Sequence, residues 1–273
     1  MYLIQGIVLL LLSISLQSRS IRAFVNGTSE EIDNSIDSDY YSVSAIIERA
    51  NENAEKPEGD FIITHGDIAV FTGLQNADLC TSGGCKWPRS RNGKVYVPYV
   101  ISNEYSPTEL RVIQRAMKSF RKSTCIQFRP RGNETNYIDI ISGNGCFSYI
   151  GRIRRKQVLS IEINKCVYRH VIQHLLLHAL GFHHEQSRSD RDKHVKILYK
   201  NIRPDKVDNF QIELTNNLKT PYDYNSVMHF ERYAFSKSDQ PTIIPIPDKN
   251  VSIGRATKMS ANDILCVKRL YCS

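Results

Sequence analysis

The run His174-Leu-Leu-Leu-His178-Ala-Leu-Gly181-Phe-His183-His184-Glu185 limits what this chain can fold into more than any other stretch, and six of the eight histidines fall between His170 and His194. On a helix, His174 and His178 stand four residues apart on one face, so both imidazoles reach one point. Gly181 then lets the backbone leave the helix and turn back, bringing His184 to the same point as a third nitrogen. Three neutral imidazoles suit a zinc ion, Zn2+, one per chain. The plain alternative is a buried amphipathic helix that is merely rich in histidine.

Such a site needs a packed scaffold, and 273 residues with 41% apolar side chains fit one catalytic-sized unit plus processed segments. Residues 1–20 carry Arg19 as their one charged side chain. There the apolar stretch Ile7 to Leu12, followed by Ser13, Ser15 and Ser18, reads as a signal peptide. An uncleaved anchor is the alternative, since no Lys or Arg precedes that stretch. No other segment approaches 18 apolar residues, so the expectation is a secreted, extracellular protein with no membrane contact after signal cleavage. From Ile21 to Gln75 there are 3 basic and 11 acidic residues, net −8, whereas residues 76–273 sum to +15. An acidic arm precedes a basic body.

Seven cysteines, Cys80, Cys85, Cys125, Cys146, Cys166, Cys266 and Cys272, in an exported chain argue for three disulfides and one leftover thiol. Sequons at Asn26, Asn133 and Asn250 are compatible with that route. Ser29 to Asp60 is acidic and Ser/Asn-rich, with one short helix around Val43 to Asn51 and too little apolar surface for a core of its own. Phe61 to Val70 reads as extended, and the body is expected to begin at the tight loop Cys80-Thr-Ser-Gly-Gly-Cys85.

Lys94 to Ile101 alternates as a strand, and Ser106-Pro-Thr-Glu109 opens a helix whose apolar face is Leu110, Ile113, Met117 and Phe120. Ile126 to Arg129, Ile138 to Ser142, Ser148 to Ile150 and Val158 to Ile163 are short strands. A second helix runs from after Val167 to about Leu180, and Ser260 to Leu270 forms a capped third. The basic residues are dispersed along the sequence without a recognition-helix or base-stacking motif, so no nucleic-acid partner is expected. The basic stretch Arg152 to Lys156 reads as a solvated face, with a dedicated site for acidic ligands as the alternative.

Downstream, Ser226-Val-Met228-His229-Phe230 follows the histidine pattern as a methionine turn does in metzincins. With it, Gly66-Asp67, Trp87-Pro88, Val97-Pro98-Tyr99, Gly145-Cys146, Tyr149, Gln173, Glu185, Arg188-Ser-Asp190-Arg191 and Pro221-Tyr-Asp-Tyr224 match in order. From about Val43 onward, the chain closely resembles the astacin family of zinc metallopeptidases, and within it the six-cysteine group of fish hatching enzymes. The resemblance implies an α+β fold, a two-lobed metzincin-type domain with the zinc helix as the cleft floor and a short pro-segment. The domains would be a signal peptide at 1–20, an acidic pro-segment at 21–75 and the peptidase domain at 76–273.

It also implies His174, His178 and His184 as zinc ligands and Met228 as the Met-turn residue. Asp67 would cap the metal of the latent form. Glu185 would meet the new N-terminus after cleavage near Gln75 and Asn76. The implied disulfides are Cys80 with Cys85, Cys146 with Cys166, and Cys125 with Cys272, although Cys272 stands one residue nearer the preceding tyrosine than in the family. Cys266 would be the leftover thiol.

Two positions depart from the family's pattern. Leu175 stands where the glutamate of His-Glu-x-x-His serves as general base, and leucine has no titratable atom. Phe230 stands where a tyrosine hydroxyl steadies the developing oxyanion. No catalytic residue is therefore expected at either place. The expectation is a zinc-binding pseudoprotease of this metalloendopeptidase family, holding an extracellular protein or peptide in its cleft. An active endopeptidase of low turnover on egg-envelope or other extracellular proteins, and a structural secreted protein with an empty site, are the alternatives.

Overall fold

The computed structural model describes residues 39–52, 54, 61–72, 84–153 and 155–273. The expected signal peptide, the bond near Gln75, the Asn26 sequon and Cys80 lie outside the described residues.

Local signals set most element starts. Ser42 caps helix α1 (Val43–Asn51), its Oγ accepting from the Ala45 N–H. Strands β1 (Phe61–Thr64) and β2 (Ile68–Phe71) form an antiparallel hairpin. After β3 (Val95–Ile101), Ser106 and Glu109 close the capping box of helix α2 (Pro107–Ser123), which leaves satisfied donors at its first turn. Its Ile113, Ala116, Met117 and Phe120 form the buried stripe. Strands β4 (Ile126–Pro130), β5 (Tyr137–Ile141), β6 (Phe147–Tyr149) and β7 (Lys156–Ser160) follow. Next comes helix α3 (Arg169–Ala179), in which Val171 to Ala179 are buried on every face. The C-terminal part holds the pair β8 (Val195–Ile197) and β9 (Ile243–Pro245), then helix α4 (Ala261–Val267), again with a capping box.

The seven-stranded sheet has the order β1-β2-β6-β7-β5-β3-β4. β6 runs antiparallel to β7, and β2 joins β6 in parallel. A main core lies between this sheet and helices α2 and α3. A second core, with Phe210, Phe230, Phe235, Ile243 and Ile253, fills the C-terminal lobe. The zinc-helix candidate α3 therefore lies where the two lobes meet.

The structure draws the body's boundary differently from the composition. Val43, Ile46, Ile47 and Ala50 of α1 are at most 3% exposed and belong to the main core. Burying the three branched side chains contributes roughly 5–9 kcal/mol, before the entropy of ordering is set against it. An acidic segment too poor in apolar residues for its own core is held by borrowing another's. The hairpin β1–β2 likewise extends the same sheet, so the packed body includes residues well before Cys85.

Candidate metal centre

Helix α3 delivers His174 and His178, whose ring centroids stand 4.5 Å apart. The helix stops because Gly181 adopts φ +99°, a left-handed conformation costly for a side-chain-bearing residue. The chain then returns, and the His184 ring lies 5.2 Å from that of His174 and 4.7 Å from that of His178. All three side chains are at most 2% exposed.

Two carbonyls fix the tautomers. His174 Nδ1 donates to the Val227 carbonyl at 2.9 Å and His178 Nδ1 to the Phe182 carbonyl at 2.7 Å, leaving both Nε2 lone pairs aimed inward. Burial pushes the His184 imidazole down to about 3 and lowers that of His178 as well, so both are uncharged ligand candidates.

The fourth group comes from the hairpin turn His65-Gly66-Asp67. Gly66 has φ +90°, and a Cβ there would stand 3.0 Å from the Phe235 ring, so the turn lies flat against the C-terminal lobe. Asp67 is 1% exposed. Its Oδ2 lies 2.8 Å from His174 Nε2, and its Oδ1 lies 3.0 Å from His184 Nε2 and 3.4 Å from His178 Nε2. The Asp67 carbonyl also accepts from the Ser148 N–H, tying the turn to β6.

This donor set fits a zinc ion. Asp67 Oδ1, His178 Nε2 and His184 Nε2 are buried with no hydrogen-bond partner, which would be costly unless a cation sat among them. The four candidate ligand atoms lie within 4.8 Å of one another. Bonds of about 2.0–2.1 Å in a tetrahedron place ligand atoms roughly 3.3 Å apart, close to the spacings seen.

Beneath the site, the turn Ser226 to Phe230 is set by α4. Asp263 accepts from Ser226 Oγ at 2.6 Å and from the Val227 N–H at 3.0 Å, and the Met228 carbonyl accepts from the Glu185 N–H. Met228 is buried. Asp263 is legible in the sequence as a helix cap, but its second task is visible only in three dimensions. Gln186, whose Oε1 accepts from the Phe230 N–H, carries no sequence signal for this task.

Leu175 is fully buried on α3 between the two histidines. The Phe230 ring packs 4.5 Å from His184 and also against Phe210 and Phe235, an apolar setting. Glu185 is turned elsewhere, its Oε1 accepting from the Asp223 N–H at 2.8 Å and pairing with Arg188 at 3.0 Å; burial pushes its carboxyl up to about 7. His183 lies within electrostatic reach of Glu213, which pairs with His65 at 2.9 Å.

The structure joins Cys125 to Cys272 and Cys146 to Cys166. The last residues wind as a π-turn, Lys268–Cys272, and Cys272 reaches Cys125 from it. Cys85 is disulfide-bonded. Cys266 is a free thiol with its Sγ 3.3 Å from Thr220 Oγ1. In the basic stretch, Arg152 Nε donates to the Lys86 carbonyl, fastening that loop to the chain beside Cys85.

Comparison with known proteins adds an independent line. Residues 85–272 match the model of the astacin peptidase family. The low choriolytic enzyme of Oryzias latipes is 45% identical over 271 residues, 97% of this chain and 96% of its own length. High choriolytic enzyme 1 of the same fish is 44% identical over 85% of this chain and 84% of its own. The solved structure of that second protein, a hatching enzyme zinc-protease, superposes with a TM-score of 0.69 at 49% identity, covering 72% of this chain and 98% of the other.

Proposed function

The chain belongs to the astacin family of zinc metallopeptidases, and from that premise we propose that it is an exported, zinc-holding member that binds extended peptide in its cleft and cuts it poorly or not at all. The observation that carries this reading is Leu175, buried and without a titratable atom between two histidines of a complete metal-ligand set.

His174, His178 and His184 would hold the ion, with Asp67 as fourth ligand while the N-terminal segment stays in place. A zinc ion held there supplies Lewis acidity towards a scissile carbonyl and towards water. What this chain's residues must add is a carrier that takes a proton from the attacking water and gives it to the departing amine. Leu175 cannot do so, Glu185 is committed to Asp223 and Arg188, and Asp67 would leave with a removed pro-segment. Phe230, packed against His184, has no hydroxyl to donate to the oxyanion.

Loss of a general base typically costs about 10²- to 10⁴-fold and loss of one oxyanion donor about 10²- to 10³-fold. Because groups acting in one step are rarely independent, the product is an upper bound.

The family domain at 76–273, the acidic pro-segment at 21–75 with Asp67 as its switch, and the contact of Glu185 with a new N-terminus belong to the same proposal. Export is supported by disulfides, Cys125 with Cys272 and Cys146 with Cys166 among them, which persist in oxidising compartments. Among the described residues no helix is long and apolar enough to cross a membrane. The choriolytic names of the relatives point to egg-envelope proteins as the ligand class.

A second reading, an endopeptidase of low turnover, is favoured by the intact histidine set and by the 45% identity to a choriolytic enzyme. The two separate in one experiment. Processed wild type and its Leu175→Glu, Phe230→Tyr double variant, matched for zinc content, are compared on casein and on fluorogenic peptides. Restored turnover at least about 100-fold above wild type is expected; equal rates would sink the pseudoprotease reading.

A further inference from the structure

The cationic side chains that look scattered along the sequence gather on one face. On α2, Arg111, Arg115, Lys118 and Lys122 are all exposed, and their spacing of four, three and four residues places them in one stripe. The stripe is about 16 Å long at ~1.5 Å per residue. At its C-terminal end Arg121 and Lys122 meet Lys94, Lys268 and Arg269 around a concavity of about 620 Å³. The Cys125–Cys272 disulfide staples the start of β4 to the chain's last turn and so fixes the two basic segments side by side.

Among the described residues no acidic side chain pairs with the cations of α2 or with Lys94 and Lys268. No Asp or Glu occurs between Leu110 and Asn133. Glu109 is held in the capping box of α2, and Asp263 is buried at the Met-turn. Among the described residues Lys94, Arg115, Lys118, Arg121, Lys122 and Lys268 take part in no ion pair. The negative end of the α2 dipole accounts for cations in the last turn, Arg121 and Lys122. It does not account for Arg111, Arg115 or Lys118, nor for Lys94 and Lys268 on other elements. Concentrating like charges without partners costs free energy, and a multivalent anion would recover it.

We propose that this face is a binding site for a sulfated polysaccharide, separate from the cleft. Besides its cations, the exposed face of α2 carries Pro107, Thr108 and Gln114 and no aromatic ring, so it lacks the stacking platforms that hold single-stranded nucleic acid. It also lacks the apolar wedge that seats a helix in a bilayer. What remains is recognition by charge spacing along an extended polyanion. The choice of a glycan over duplex nucleic acid rests on the export proposed above; a secretion assay tests that reading separately, since a chain retained in the cell would sink export without changing a column result.

The test uses the full chain on immobilised heparin, with chondroitin sulfate, duplex DNA and anionic phosphatidylserine vesicles as comparators. Wild type is expected to be retained by heparin at about 0.15 M salt, where exposed charges further apart than about 8 Å are screened. The Arg115→Glu, Lys118→Glu, Lys122→Glu variant is expected to bind at least about tenfold more weakly with a shallower salt dependence. A control that reverses the exposed Lys200, Lys237 and Lys249 makes the same change in net charge and is expected to move the affinity less than about twofold. If charge reversal on α2 impairs folding, the three Gln substitutions are used, with a smaller loss in the same direction. Passage of wild type through heparin at that salt, equal weakening by the two reversals, or binding to DNA or vesicles as tight as to heparin would each overturn the proposal.

Discussion

Asn51, the last residue of α1, offers the sharpest test of how the N-terminal segment is held over the metal centre. Its Nδ2 donates to the Gly66 carbonyl at 2.8 Å and the Cys146 carbonyl at 3.0 Å, while its Oδ1 accepts from the Cys146 N–H at 2.7 Å. One amide thus satisfies both backbone groups of Cys146, which is fully buried, and fastens the turn that carries Asp67. Asn51→Ala removes three hydrogen bonds, each worth roughly 0.5–1.5 kcal/mol net. Because Asn51 is half-buried, water can replace part of this, which points to about 2 kcal/mol of lost docking free energy.

That corresponds to a roughly 30-fold larger population of the open segment. The assay is native-state hydrogen exchange at the β1–β2 hairpin and at Ser148, whose N–H donates to the Asp67 carbonyl. Exchange of these amides is expected to accelerate by roughly 30-fold while α2 amides stay unchanged. Asn51→Asp, which can accept but not donate to the two carbonyls, is expected to be at least as open. Exchange within about twofold of wild type in both variants would refute the view that this side chain is the clasp.

Wild type is expected to carry close to one zinc per chain by elemental analysis, and His178→Ala less than about one-tenth; equal contents would remove the three-histidine site. Replacing both Cys125 and Cys272 by serine opens a loop of 147 residues, worth up to about 5 kcal/mol by loop entropy. Denaturant unfolding unchanged within about 1 kcal/mol would contradict that account. Burial, together with Asp39 and Glu48 nearby, pushes the Glu231 carboxyl from an ordinary 4.5 up to about 8 against the pull of Arg255. The folded state therefore binds the proton more tightly than the unfolded one. This contribution is fully present below about 4.5 and is lost as pH rises through about 8, on the order of a few kcal/mol. Thermal unfolding between pH 6 and 9 is expected to fall in wild type and to flatten in Glu231→Gln; a parallel fall in both would locate the titration elsewhere.

The sequence by itself determined what is encoded within a turn or two of backbone. The four-residue spacing of His174 and His178, the glycine that returns the chain to His184, and the caps at Ser106 and Ser260 are local, and the structure has each of those elements. Set against the pattern of the family it resembles, it also marked Leu175 and Phe230, because the absence of a functional group needs no coordinates. The disulfide partners were legible through family resemblance alone, since spacing among seven cysteines admits many pairings.

Tertiary structure alone decided the rest. Ser29 to Asp60 lacks the apolar surface to fold alone, so nothing local could reveal that Val43, Ile46 and Ile47 enter another segment's core. Asn51 meets Cys146 across 95 residues, and Asp263 meets Val227 across 36. Lys94, Lys122 and Lys268 become neighbours through a disulfide and a helix packed on a sheet. Contacts of that separation depend on loop closure and packing, whose free energy no short window of residues contains.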